Sequence, residues 1–349
     1  MTEIDPPSPL SPAIIRIETP YLIFLGAVTS RNAAKTAYGL RDWRPEACLG
    51  QLRLPGCSED LGIADLSIED AARKGARTLV VGVAPVGGRL EPSWIAVFEA
   101  ALKAGLDIAA GLHTRLGENE QLAALARRLG RRLTDVRIPP PGLPIANGRK
   151  RIGKRLLTVG TDCAVGKKYT ALAISKELQG RGHAASFRAT GQTGILIAGS
   201  GIPIDATVSD FTAGAAEILS PDNHPGHWDI IEGQGSLFHP AYAGVSLGLL
   251  HGSQPDAVVV CHEAGRERIF FYNDYPVPDI AECIDLNVRL GRLTNPALRC
   301  VGVSVNTSAL APDERHSYLS DLSRRLGLPC VDPIATGVSP IVDRMIAEV

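Results

Sequence analysis

The chain has 349 residues, 45% of them apolar and 21% charged, with a formal net charge of −1. That length suffices for two domains with separate cores, and the near-neutral balance excludes a global attraction to nucleic acid or anionic membrane. No apolar run approaches the length of a membrane span, and the polar, Pro-rich stretch from Met1 to Pro12 holds no signal-type apolar block, so a cytoplasmic protein is expected.

Residues 1–19 read as a flexible leader. Residues 21–28 (YLIFLGAV) follow as a buried strand, and a polar loop then leads into a short helix. This opening is Rossmann-like but lacks G-x-G-x-x-G. Arg31 and Lys35, beyond the carboxyl end of that strand, are candidates to bind a carboxylate or phosphate, against the plainer reading of a solvated helix start. Residues 77–83 form a second strand, entering the glycine-rich loop 84–89. A helix opens after Glu91-Pro92-Ser93 and closes at Gly105; residues 106–110 are the next strand, and 119–129 a helix ended by Gly130. Strands alternating with helices imply a parallel sheet with right-handed crossovers. Gly87 to Arg89 and His113 to Arg115, after strand ends, are candidates for a small acidic ligand. Proline density at 139–144, continuing to Lys150, marks a linker. The expected fold is α/β, with a Rossmann-like parallel-sheet domain at 20–138, the linker at 139–150, and a P-loop NTPase-like parallel-sheet domain at 151–349.

The second domain opens on residues 156–170 (LLTVGTDCAVGKKYT). A β-type run enters a turn between Gly160 and Gly166, Lys167 follows, and a helix comes next. That is the layout of a phosphate-binding loop, in which backbone N–H groups, a helix N-terminus and a lysine converge on an anion. Two features depart from the usual motif. Five residues separate the glycines where four are usual, and Lys168 stands where Ser or Thr would hold Mg²⁺. Further on, 183–187 is a strand ending in the polar loop 188–194, with Arg188, Thr190, Gln192 and Thr193. Asp210 is expected to cap an alanine-rich helix. Residues 228–231 form a short strand delivering Glu232-Gly233-Gln234-Gly235, a Walker-B-like placement of a carboxylate. Strand 256–261, a helix capped by Asp279, strand 298–305 ending at Asn306, a helix over 313–326 and a last strand at 329–331 complete the sheet. Seven cysteines without C-x-x-C spacing, most in apolar runs, point to reduced thiols and no metal site.

Three landmarks carry a resemblance: Gly160-Thr161-Asp162-x-x-Val165-Gly166-Lys167, then Ile231-Glu232-Gly233-Gln234-Gly235, then Gly302 to Asn306. Together they resemble the P-loop synthetase group of dethiobiotin synthetase, where the loop reads G-T-D-x-x-V-G-K-T and a late strand ends in an Asn that reads adenine. Across nearly the whole chain, GTDCAVGKKYT, FRATGQTG, VSDF and EGQGSLFHPAYAGVSLGLLHGSQPD resemble the D-glutamate N-acetyltransferase family. That resemblance implies transfer of acetyl from acetyl-CoA to the amino group of D-glutamate, in D-amino-acid catabolism. The alternative is an ATP-dependent ligase or kinase of the dethiobiotin synthetase type, acting on a small carboxylate or amine.

Coenzyme A carries phosphates and an adenine but does not need the Mg²⁺ hydroxyl, and Lys168 is an added cation suited to unmetallated phosphate. The departure therefore favours acyl transfer, while leaving the use of Mg²⁺ open. On this reading Gly160, Thr161, Cys163, Ala164, Val165, Gly166, Lys167, Lys168, Tyr169, Thr170 and Asn306 are expected to hold the coenzyme. Glu232 is the first candidate base and Asp162 the second. Arg188, Thr190, Gln192, Thr193, Arg31 and Lys35 are expected at the substrate carboxylates. Cys163 as a nucleophile is weighed against packing under the loop, and His239, His251 and His262 are read as structural. A homodimer acting on small molecules is the expected assembly.

Overall fold

A computed structural model describes residues 14–83 and 88–349. The chain forms two compact units, 1–141 with 191–203 and 142–190 with 204–349. The loop residues Ala84 to Gly87 lie outside the described residues, as does the leader up to residue 13.

The first unit opens with β1 (Ile15–Arg16), β2 (Tyr21–Gly26), α1 (Lys35–Trp43), β3 (Cys48–Arg53) and α2 (Ile68–Arg73). It continues through β4 (Thr78–Val81), α3 (Ile95–Lys103), β5 (Asp107–Ala110), α4 (Glu120–Leu129) and β6 (Leu133–Asp135). Five of its strands make one parallel sheet in the order β3-β2-β4-β5-β6. Every residue of β2 is buried, which is why the run is apolar without alternation. Phe24 on β2 packs edge-on against Trp94 and Phe98, with ring centroids 5.2 and 5.6 Å apart. β3 escapes sequence reading because only half its residues are apolar. Its Gln51 is fully buried, donating to Asp60 Oδ1 at 2.8 Å and accepting from Leu61 N at 2.8 Å.

The second unit begins with β7 (Lys154–Gly160), α5 (Lys167–Gly180) and β8 (Ala185–Arg188). The chain then contributes α6 (Gln192–Ala198) and β9 (Ser200–Gly201) to the first unit, where β9 pairs antiparallel with β1. The expected polar loop at 188–194 is thus half helix. Arg44 Nη1 of the first unit donates to Ile197 O at 3.0 Å, fixing the end of α6.

Back in the second unit come α7 (Ser209–Leu219), β10 (Trp228–Ile231), α8 (Ala243–Ser253) and β11 (Ala257–Glu263). After these follow β12 (Arg268–Ile269), β13 (Tyr272–Pro276), α9 (Ile280–Gly291), β14 (Arg299–Asn306), α10 (Pro312–Leu326), β15 (Cys330–Val331) and α11 (Ser339–Glu348). Six strands form a parallel sheet in the order β15-β14-β11-β7-β10-β8, and β12 with β13 makes a separate hairpin. β7 is flanked by β10 and β11, so connections leave it in both directions, and the crevice of such a sheet opens at its carboxyl end.

Asn119 and Asp279 cap α4 and α9, accepting from Leu122 N at 2.9 Å and Ala281 N at 2.7 Å. Asp210 does not cap α7. The helix starts one residue earlier, with Val208 at the N-cap, so Asp210 sits in the first turn where its charge meets the helix dipole.

At the amino end of β7 lies Arg155, fully buried. Its guanidinium donates to the carbonyls of Arg151, Ile152, Gly153, Ser220 and Pro221 at 2.9 to 3.4 Å. Those carbonyls converge because the turns before β7 and after α7 both end there.

Candidate active site

β7 ends at Gly160 because the chain must turn under its neighbours there. A Cβ at Gly160 would lie 2.9 Å from Val165 Cγ2 and 3.1 Å from Cys261 O. Ala164 and Gly166 both take positive φ, +56° and +104°. Turns of this kind make the concavities that bind anions. α5 starts at Lys167 with no side-chain cap on its first amides, so that helix end also has donors to offer an anion.

Lys167 is 7% exposed, and its Nζ donates to Asp162 O at 2.7 Å. An ammonium has three donors, and among the described residues this carbonyl is the hydrogen-bond acceptor Nζ finds. Burial pushes its pKa down. A buried cation this sparsely bonded is stabilised by an incoming anion. Lys168 is half-buried, its Nζ 4.6 Å from the Tyr169 ring centre.

Thr170, two residues on, points the other way. It is fully buried, with Oγ1 2.7 Å from Ser304 Oγ, donating to Gly166 O at 3.1 Å and accepting from Cys261 Sγ at 3.4 Å. Its hydroxyl is taken up by Gly166 O at the end of the loop and by the packing between α5 and β14.

Asp162 is fully buried and closely held. Oδ1 accepts from Cys163 N at 2.6 Å, and Oδ2 from Arg266 Nη1 at 2.9 Å and Phe270 N at 2.8 Å. Arg266 also donates to Cys163 O at 2.7 Å and pairs with Glu263. Asp162, Cys163 and His239 bring ligand-type atoms within 4.8 Å of one another. Protein donors already engage the aspartate, however. His239 Nδ1 accepts from Ala241 N at 3.2 Å, which leaves Nε2 protonated to donate to Phe270 O at 3.2 Å. This trio is therefore knit by hydrogen bonds rather than arranged to hold a cation. Burial raises the pKa of the Cys163 thiol, so it lacks the thiolate character of an activated nucleophile.

Thr161 Oγ1 lies 3.0 Å from His262 Nδ1. Burial, helped by the Arg266 charge, lowers the His262 pKa to about 4, so the ring is neutral at physiological pH. His251 Nε2 lies 3.1 Å from Leu290 O, away from the loop.

Glu232 follows β10, directly beside β7. It is 5% exposed, and Oε2 accepts from Thr190 N at 3.0 Å. Thr190 Oγ1 donates to Glu232 O at 2.6 Å and accepts from Gln234 Nε2 at 2.9 Å. Gly233 N donates to Thr158 Oγ1 at 2.9 Å. A side chain at Gly233 is barred, because its Cβ would fall 1.6 Å from Thr158 O and 3.0 Å from Lys167 Cδ. The glycine thus lets the Glu232 segment lie against the stem of Lys167.

The second unit therefore brings the loop, Lys167, Asp162, Glu232 and Thr190 to one sheet edge. Arg188 stands beside Asp229, donating from Nε to Oδ1 at 2.7 Å. Asn306 ends β14, where its Oδ1 accepts from Ser308 N at 3.1 Å and its carbonyl from Ala264 N at 3.0 Å. Gln192, Thr193, Arg31 and Lys35 belong to the first unit. There Gln192 Oε1 accepts from Arg137 Nη1 at 2.6 Å, and Thr193 Oγ1 lies 3.3 Å from Thr36 Oγ1. The Arg31 guanidinium sits 4.0 Å from the Tyr38 ring centre, and Lys35 is exposed at the start of α1. Gly88 and His113 are joined by a backbone bond of 2.8 Å, while Arg115 lies 3.8 Å from Glu118. Sequence reading missed Arg266, Thr158 and the Phe270 amide. Only the density of charge in Glu263 to Arg268 marked that stretch.

The sequence matches a family described as a domain of unknown function (DUF1611_C), P-loop domain, over residues 144–342. Residues 53–139 match the Rossmann-like domain of unknown function DUF1611_N. A D-glutamate N-acetyltransferase from Tritonibacter scottomollicae is 51% identical over 331 residues, covering 95% of this chain and 99% of that protein. Another, from Pseudoalteromonas sp, is 47% identical over 328 residues, covering 94% and 99%. The crystal structure of a DUF1611 family protein from Anabaena variabilis is 30% identical, with a TM-score of 0.79, over 95% of this chain and 100% of that one. The chain belongs to the D-glutamate N-acetyltransferase family, with its Rossmann-like and P-loop domains, and is an acyltransferase.

Proposed function

We propose that this enzyme moves the acetyl group of acetyl-CoA to the amino group of D-glutamate, as a step in D-amino-acid catabolism. The names of two relatives that each span about the whole chain support the acceptor and the reaction. Thr170 is the observation that carries the choice of donor. Its hydroxyl is engaged in the core with Ser304, and the position after Lys167 holds a second lysine. A loop so built suits coenzyme phosphates neutralised by Lys167, Lys168 and the α5 amides better than a phosphoryl group held on Mg²⁺.

In this reading Glu232 takes the proton from the α-ammonium of glutamate. The free amine attacks the thioester carbonyl, the C–N bond forms and the C–S bond breaks, and the leaving coenzyme thiolate takes up the second proton that the attacking nitrogen gives up. Thr190 N and Gln234 orient the Glu232 segment for this role. Asp162, with both oxygens engaged, positions the loop instead of acting as a base. Arg188, steadied by Asp229, is the cation proposed to meet a glutamate carboxylate.

Incubating the enzyme with acetyl-CoA and D-glutamate, without nucleotide, should release coenzyme thiol in step with N-acetylglutamate. Amine-dependent ADP formation from ATP, with no thiol released, would establish the ligase or kinase instead.

A further inference from the structure

The β12–β13 hairpin turns in two residues. Ile269 pairs with Tyr272, so Phe270 and Phe271 make the turn. Two-residue hairpin turns favour Asn-Gly, Asp-Gly or a leading Gly, because they need positive φ. Here Phe271 takes φ +67°, a conformation that is an outlier for a bulky side chain. Phe271 is 79% exposed and Phe270 40% exposed, with ring centroids 4.0 Å apart. The turn therefore holds backbone strain and exposed apolar rings together, and neither is offset by burial. Such breaches of local preference concentrate at functional sites.

The turn lies beside the phosphate loop. Phe270 N donates to Asp162 Oδ2 of the phosphate loop at 2.8 Å, and Phe270 O accepts from His239 Nε2. Arg266 lies 5.8 Å from the Phe270 ring centre while bonding Asp162. Both ends of the Phe270 peptide are thus pinned beside the loop, and Phe271 stands out from it as the open ring.

We propose that the Phe270–Phe271 turn is the stacking platform for the purine ring of the coenzyme whose phosphates the loop takes. The proposal rests on the acetyl-CoA reading above. An adenine presents a π-face that an exposed ring can meet, and the pinned Phe270 backbone holds the platform beside the loop. Stacking of this kind adds binding without touching the reacting carbonyl, so it belongs in the donor KM and not in kcat.

Three proteins separate the outcomes: wild type, Phe271→Ala and Phe271→Trp. Each is assayed with acetyl-CoA and with S-acetylpantetheine, which lacks the adenine nucleotide, and its binding of free CoA and of pantetheine is measured by calorimetry. Phe271→Ala should raise the acetyl-CoA KM and the CoA Kd roughly 10-fold or more, at nearly unchanged kcat. Values for the pantetheine compounds should not move, and Phe271→Trp should restore tight binding. Equal CoA Kd in wild type and Phe271→Ala overturns the platform, as does the same loss for pantetheine. Sedimentation showing that Phe271→Ala only dissociates an oligomer, with CoA binding intact, assigns the rings to a second copy of the chain and also overturns it. If the wild type binds CoA but releases no thiol with D-glutamate, the acetyl-transfer reading has failed, and the calorimetric comparison still decides the platform.

Discussion

Two buried cations sit at opposite ends of β7. At its amino end Arg155 is fully buried and reaches five backbone carbonyls. Past its carboxyl end Lys167 is almost as buried and, among the described residues, reaches one, Asp162 O. Burial lowers the pKa of both. The difference lies in saturation. A guanidinium whose donors are matched by protein carbonyls holds two turns together and has nothing left to offer. An ammonium held by a single carbonyl is a cation kept ready for an anion, at a cost in stability that evolution tolerates at binding sites.

The largest effect should come from breaking the saturated end. Arg155→Met should destabilise the fold by about 3–5 kcal/mol, because it strands five inward-facing carbonyls. Urea unfolding checks this, and a loss under 1 kcal/mol would mean that water replaces the guanidinium. Next comes the carboxylate beside the unsaturated end. Glu232→Gln keeps the Thr190 N–H bond but cannot accept a proton, so kcat should fall by about 10²–10⁴ with CoA affinity unchanged. An intact kcat removes Glu232 as the base.

The smallest effect concerns His262, the uncharged neighbour of the loop. Its folded pKa is near 4, against 6.5 for the exposed ring. As pH falls from 7 to 5 the unfolded chain takes up a proton that the folded chain refuses, so stability is lost over that window and is fully present above it. The loss should be about 2 kcal/mol. His262→Asn should flatten that part of the stability–pH curve, and a curve of unchanged slope would show that other groups carry the acid sensitivity.

Much of the lysine's end of β7 was legible in the sequence. Gly160, Gly166, Lys167 and Glu232 lie in short consecutive motifs whose strand–turn–helix context can be read locally. The arginine's end was not. Arg155 sits in KRLLTV as an ordinary strand-entry cation, and its partners Ser220 and Pro221 lie some 65 residues away. Arg266 is a similar case, 104 residues from Asp162. Pairings of that separation leave no periodic trace. β3 and α6 were missed for local reasons. β3 interrupts its apolar residues with a glycine and a glutamine, and α6 holds Gly194 and is flanked by Gly191 and Gly199, a density that reads as loop. Thr170 was expected among the residues that hold the coenzyme, whereas its hydroxyl is engaged with Ser304 and Gly166 O.

Lys167→Ala tests most directly the claim that the sparsely bonded lysine is the anion site. Calorimetric titration of CoA, paired with urea unfolding of the same protein, gives both halves of the comparison. CoA affinity should fall at least about 10-fold while the fold keeps or gains stability, since the variant removes a buried charge whose one acceptor among the described residues is Asp162 O. Unchanged CoA affinity, or a fold weakened as much as by Arg155→Met, would make Lys167 a second structural cation and contradict the assignment.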